Sequence, residues 1–143
     1  MESRISFNSK NEFELSNEER HCQWLKSVVK SEAKALGEIG YVFCDDKDLL
    51  DINQNFLNHD TFTDIITFDY SEGDLISAEI YISTERVKEN AKTFGVSFED
   101  ELQRVLVHGI LHCCGYGDST EELKTKMREK EDKKMELFHV EHK

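Results

Sequence analysis

Ile65-Ile66-Thr67-Phe68 and Leu75-Ile76-Ser77-Ala78-Glu79-Ile80-Tyr81-Ile82, joined through Ser71-Glu72-Gly73-Asp74, form the stretch on which the fold turns. β-Branched and aromatic residues crowd both runs, and the turn-like tetrad between them predicts a hairpin. Two strands in succession break the strict strand–helix alternation of an α/β protein. Towards the N-terminus, Tyr41-Val42-Phe43-Cys44 and the alternating Arg4-Ile5-Ser6-Phe7 predict two more short strands. Between them Ser16 and Glu19 make a capping box for a helix with Leu25, Val28, Val29 and Leu36 on its stripe and Gly37 as its stop. Asp46 caps a short helix carrying Leu49, Leu50, Ile52 and Phe56, and polar Asn58-His59-Asp60-Thr61 reads as a loop. Beyond the hairpin, a helix from about Thr84 to Phe94 places Val87, Ala91 and Phe94 on one stripe and ends at Gly95. Ser97 opens the next helix, which runs to Gly115. Ser119 with Glu122 caps a last one reaching roughly Phe138, anchored by Leu123 and Met127, its alternating Lys and Glu forming a solvated face. This order predicts the α+β class: a single domain over residues 1–143, with one small mixed β-sheet packed with helices and residues 139–143 free to fray.

Composition narrows the function. The chain has 143 residues, 38% hydrophobic and 34% charged, which is one soluble domain's worth of core and surface. No run of 18 apolar residues occurs and the N-terminus lacks a basic-then-apolar leader, so no membrane partner and a cytoplasmic location are expected. The four cysteines, Cys22, Cys44, Cys113 and Cys114, are scattered or adjacent and read as reduced packing residues. A formal charge of −12 argues against broad attraction to nucleic acid, although local basic patches coexist with an acidic total.

The chemistry concentrates in His108-Gly109-Ile110-Leu111-His112-Cys113-Cys114-Gly115-Tyr116-Gly117-Asp118. Residues four apart on a helix lie about 40° apart around the axis and roughly 6 Å along it, so His108 and His112 project from one face. The Gly115-Tyr116-Gly117 turn can swing Asp118 back as a third ligand, leaving a position open for water, as at a catalytic zinc. The metal site thus falls on a buried helix and the turn after it. The other reading, two core histidines with ordinary partners, fits poorly with a helix apolar nearly all round. Gly109 stands where a zinc peptidase has its glutamate base, so peptidase chemistry loses its usual base.

The same run resembles the signature of the YbeY family of rRNA maturation endoribonucleases through His108, Gly109, Leu111, His112, Gly115 and Tyr116. Upstream, Asn53, Phe56 and Thr63-Asp64-Ile65-Ile66-Thr67-Phe68 resemble further family segments, and Met127 and Glu131 stand at the family's M-x-x-x-E spacing. The resemblance covers roughly residues 40 to 132. It implies a metal-dependent hydrolase, a single-strand endoribonuclease of rRNA maturation and ribosome quality control. One Zn(2+), or another divalent transition metal, would be held by His108, His112 and Asp118, and the partner would be ribosomal RNA or the ribosome. Two positions depart from the pattern. Asp118 replaces the family's third histidine, and a carboxylate ligand makes the metal a weaker Lewis acid. Leu57 replaces an arginine that would hold phosphate. Thr63, Asp64 and Arg104 are the substrate-binding candidates. Thr63 and Asp64 also suit ordinary turn chemistry, Arg104 a surface ion pair with Glu101 or Asp100, and Glu79 a solvated strand position. The general base is unassigned. The alternative is a non-catalytic ribosome-assembly interaction protein with a structural metal, favoured by Leu57 and the acidic total.

Overall fold

The computed structural model describes residues 4–56 and 63–140. Their elements run β1 (Ile5–Ser9), α1 (Glu18–Ser31), β2 (Ala35–Cys44), α2 (Asp46–Phe56), β3 (Ile65–Asp69), β4 (Leu75–Ser83), α3 (Thr84–Phe94), α4 (Phe98–Cys113) and α5 (Glu121–Val140). The four strands form one mixed sheet in the order β1-β2-β4-β3, parallel except for the β3–β4 hairpin. This is the α+β single domain that the hairpin signalled. Leu57 and the expected loop at Asn58-His59-Asp60-Thr61 lie outside the described residues. No helix among the described residues is long and apolar enough to cross a membrane.

Alternation in the strands decides what the sheet covers. Ile39, Tyr41 and Phe43 of β2 and Ile76, Ala78, Ile80 and Ile82 of β4 share one face, where they pack with Trp24, Leu25 and Val28 of α1 and Leu106, Ile110 and Leu111 of α4. The Tyr41 hydroxyl is buried there, donating to the Leu106 carbonyl at 2.8 Å. On the other face, Cys44, Leu49 and Ile66 form a smaller cluster under α2. Glu79 on that face is exposed, as expected. All four cysteines are free, with Cys22 and Cys44 buried and Cys113 and Cys114 partly so.

Several boundaries differ from the sequence expectation. Leu36 and Gly37 belong to β2, because α1 stops at Ser31, whose hydroxyl bonds back to the Val28 carbonyl at 2.7 Å, and Ala33 then takes a left-handed φ of 60°. Gly37 is a strand residue beside β4, where an added Cβ would collide with Ser77 Oγ and the Ile76 carbonyl. The Ser16 capping box does not form: Asn17 occupies the N-cap in a left-handed conformation, which precludes a side-chain cap. At the last helix Thr120, not Ser119, caps, accepting from Leu123 N at 3.1 Å. Met127 anchors α5 at 3% exposure while Leu123 is 37% exposed, and Glu131 and Lys134 are buried, so this helix's charges are not all a solvated face. Phe94 leaves the stripe of Val87 and Ala91 and stands 56% exposed. The histidine helix ends at Cys113, two residues before Gly115.

Candidate active site

The site is assembled around α4 and the turn at its C-terminal end. Ser97 Oγ accepts from Asp100 N at 3.1 Å to start the helix, and Glu99, Asp100 and Glu101 in the first turn suit its positive end. Leu102, Val105, Leu106, Ile110 and Leu111 are buried, which fixes the rotation of the helix about its axis. Gly109 faces the sheet: a Cβ there would sit 2.9 Å from Ile80 Cδ1 and 3.4 Å from Ile65 Cδ1. A glutamate at that position would point into apolar packing, away from the histidines.

His108 is the best-supported side chain of the site. Its Nδ1 lies 2.7 Å from Glu131 Oε2, and its Nε2 lies 3.7 Å from Asp118 Oδ2. Glu131, only 7% exposed, receives Arg104 Nη1 on its other oxygen at 2.9 Å, and Arg104 Nη2 reaches Asp132 at 2.6 Å. Burial alone would lower the His108 pKa, but the Glu131 hydrogen bond and the charges of Glu131, Asp118 and Asp64 raise it. Asp118 is brought near by the turn after α4. There Gly115, at a φ of 107°, donates to the His112 carbonyl at 3.0 Å, and Tyr116 N donates to the Leu111 carbonyl at 3.1 Å. The Tyr116 hydroxyl donates to Glu32 at 2.7 Å, tying the turn to the end of α1.

His108, His112 and Asp118 line one cavity of about 780 Å³ together with Thr63, Asp64 and Arg104. All six residues singled out in the sequence therefore share one site. Within it Thr63 Oγ1 donates to the Ile65 carbonyl at 3.3 Å, which is turn chemistry, and Asn90 donates to Asp64 at 3.4 Å. Burial raises the Asp64 pKa against the opposing pull of His108, and burial with the nearby Asp64 charge likewise raises Glu101. Arg104 pairs with Glu131 and Asp132 rather than with Glu101 or Asp100. His112 is exposed to the cavity rather than buried.

Among the described residues, no three His, Cys, Asp or Glu side chains are already gathered as a metal cluster. The donor chemistry nevertheless fits a divalent cation. A carboxylate on Nδ1 selects the tautomer whose Nε2 lone pair is free, and that nitrogen faces Asp118. Glu131 has no role assigned from the sequence; its M-x-x-x-E spacing is the one signal that could have found it. Glu32 carries no such signal, being 84 residues from Tyr116 in the chain.

The model of the Endoribonuclease YbeY family matches residues 4–139. An Endoribonuclease YbeY of Flavobacterium psychrophilum is 57% identical over 95% of this chain and 97% of its own length, and that of Flavobacterium johnsoniae 56% identical over 96% and 99%. The solution structure of a Thermotoga maritima protein superposes with a TM-score of 0.69 at 30% identity, covering 96% of this chain and 90% of that one. Since the sheet, the histidine helix and the carboxylate turn all fall inside the matched span, the chain belongs to the Endoribonuclease YbeY family.

Proposed function

We propose that the chain is a zinc-dependent endoribonuclease that cuts single-stranded RNA during rRNA maturation and ribosome quality control in the cytoplasm. His108, His112 and Asp118 would hold the metal, one per chain. The observation that carries the reading is the pairing of His108 Nδ1 with buried Glu131 while Nε2 faces Asp118. That arrangement orients an imidazole to ligate. The relatives are endoribonucleases by name, which supplies the substrate class, ribonucleic acid.

When bound, zinc supplies a Lewis acid for a phosphoryl oxygen and lowers the pKa of coordinated water. The chain's own residues do the rest. Glu131 accepts a hydrogen bond from His108 Nδ1–H and fixes the ring; Arg104 donates to the other oxygen of Glu131 and holds it in place. Under this reading Arg104 steadies the ligand shell, while Thr63 and Asp64 form the cavity wall against which the strand lies. Asp64 lines the cavity with its pKa raised by burial, and under this reading it would be the group that exchanges a proton with the reacting oxygens.

Metal content of protein purified without chelator should come to about one zinc per chain, with His112→Ala losing metal and RNA cleavage together. Cleavage by metal-free His112→Ala would overturn the proposal. Wild-type protein that holds zinc and unfolds on its removal without ever cleaving RNA would favour a structural metal in a ribosome-assembly protein instead.

A further inference from the structure

Two residues of the cavity lining bear on how a substrate would be held, an inference that rests on RNA being the substrate. α4 packs against both α3 and α5, so the helix bearing His108 and His112 is flanked by the cavity-lining Phe94 of α3 and Arg128 of α5. Phe94 is an apolar ring left in water. It is 56% exposed on the last turn of α3, immediately before Gly95 ends that helix in a left-handed conformation at a φ of 68°. The return of the chain is pinned by Val96 N donating to the Ala91 carbonyl at 3.0 Å, so the ring stands on a fixed support.

The lysines and arginines of the cavity are not equivalent. Arg104 is committed to Glu131 and Asp132, and Lys124 lies 3.6 Å from Glu121. Arg128 is exposed and makes no hydrogen bond or ion pair among the described residues, feeling only the longer-range charge of Glu101. In a chain of net charge −12, a guanidinium beside the site with no partner in ion-pair reach is where a phosphate would be attracted. A guanidinium grips phosphate bidentately, and an exposed aromatic face stacks any base regardless of sequence.

We propose that single-stranded RNA crosses the mouth of the cavity with one base stacked on Phe94 and a flanking phosphate held by Arg128, so that the backbone between them lies over His108, His112 and Asp118.

The test uses the full zinc-loaded chain and a short single-stranded oligoribonucleotide carrying 2-aminopurine, monitored by stopped-flow fluorescence before cleavage accumulates. Phe94→Ala should abolish the quenching of the fluorescent base and weaken binding roughly tenfold, whereas Phe94→Trp keeps both. Arg128→Gln should lower the slope of log affinity against log salt by about 0.7, the signature of one lost phosphate contact on a single strand. Lys133→Gln, an exposed position on α5 outside the cavity lining, removes the same charge and should leave that slope unchanged. Full quenching and affinity in Phe94→Ala, or a slope change in Arg128→Gln no larger than in Lys133→Gln, would overturn the strand path while leaving the RNA reading intact. Failure of the wild-type chain to bind the oligonucleotide would overturn the RNA reading itself, and the path with it.

Discussion

At the scale of single residues, Glu131 matters more than its distance from the histidine motif suggests. It sits 23 residues beyond His108, yet its carboxylate fixes that ring at 2.7 Å and is itself held by Arg104 at 2.9 Å. An amide in its place keeps the shape and an acceptor but gives up the charge that makes Nε2 a stronger ligand. Glu131→Gln should therefore leave the helical content unchanged and weaken zinc binding about tenfold, measured by competition with a chromophoric chelator. Unaltered affinity would reduce Glu131 to a tether for Arg104. Gly109 shows the complementary case, a residue that matters for what it lacks. A Cβ there would come within 2.9 Å of Ile80 and 3.4 Å of Ile65, so only glycine lets α4 settle this closely on the hairpin.

Among the elements, α5 is the piece that ties the site together. One turn of it carries Glu131 to His108, and the neighbouring Lys130 and Lys134 place their Nζ atoms 3.3 Å and 2.8 Å from Glu32 Oε2 at the end of α1. Glu32 in turn receives the Tyr116 hydroxyl at 2.7 Å, so the turn bearing Asp118 is latched to α1 and α5 at once. Burial would raise the Glu32 pKa, but Lys134, Tyr116 and Lys130 together pull it down to about 2. A folded pKa below the unfolded value means that the ionised carboxylate stabilises the fold above about pH 4.5, and that this contribution fades as pH falls towards 2. Glu32→Gln should thus lower the unfolding free energy by about 2–3 kcal/mol at pH 7, and by roughly half as much or less near pH 3. A wild-type-to-variant difference that stays constant across that range in urea titrations would show that the latch does not act through charge. This latch also explains what the sequence could and could not reveal. The hairpin, the histidine face and the Asp118 turn are legible because each is a local pattern of a few residues. The Glu32 link and the burial of Lys134 are not, because they join parts of the chain about a hundred residues apart, and nothing in a Lys-Glu-rich helix says which of its charges will be covered. The end of α1 is hidden for a related reason: local helical spacing continues through Leu36, while pairing with β4 claims that residue and Gly37 for the sheet.

For the molecule as a whole, 30 acidic against 18 basic residues pose an electrostatic problem that the fold only partly relieves. Many of the acids sit where helix ends favour them: Glu18 and Glu19 on α1, Asp46 and Asp48 on α2, and Glu121 and Glu122 on α5 all lie in first turns. Several cations are spent on ion pairs at the α1–α5 seam and around the cavity, and others pair locally, as Lys34 does with Asp74 and Arg86 with Asp46, so the acidic excess stays largely unneutralised. Local helix-end and ion-pair terms weaken as salt is added, whereas mutual repulsion, which acts over longer distances, is relieved by the same salt. The two therefore predict opposite signs. With a net charge of −12 spread over one domain, repulsion should dominate. Raising NaCl from about 0.01 M to about 0.1 M shortens the screening length from about 30 Å to about 10 Å, enough to decouple charges on opposite sides while leaving close pairs nearly intact. The thermal midpoint of the metal-free protein at pH 7 should consequently rise by about 2–4 °C for each kcal/mol of repulsion removed. An equal osmolality of sucrose serves as the control for effects unrelated to charge. A midpoint that stays flat or falls with NaCl would mean that the acidic helix starts and the Glu32 and Glu131 pairs outweigh the repulsion, and that the placement of the acids, rather than their excess, governs the stability of the fold.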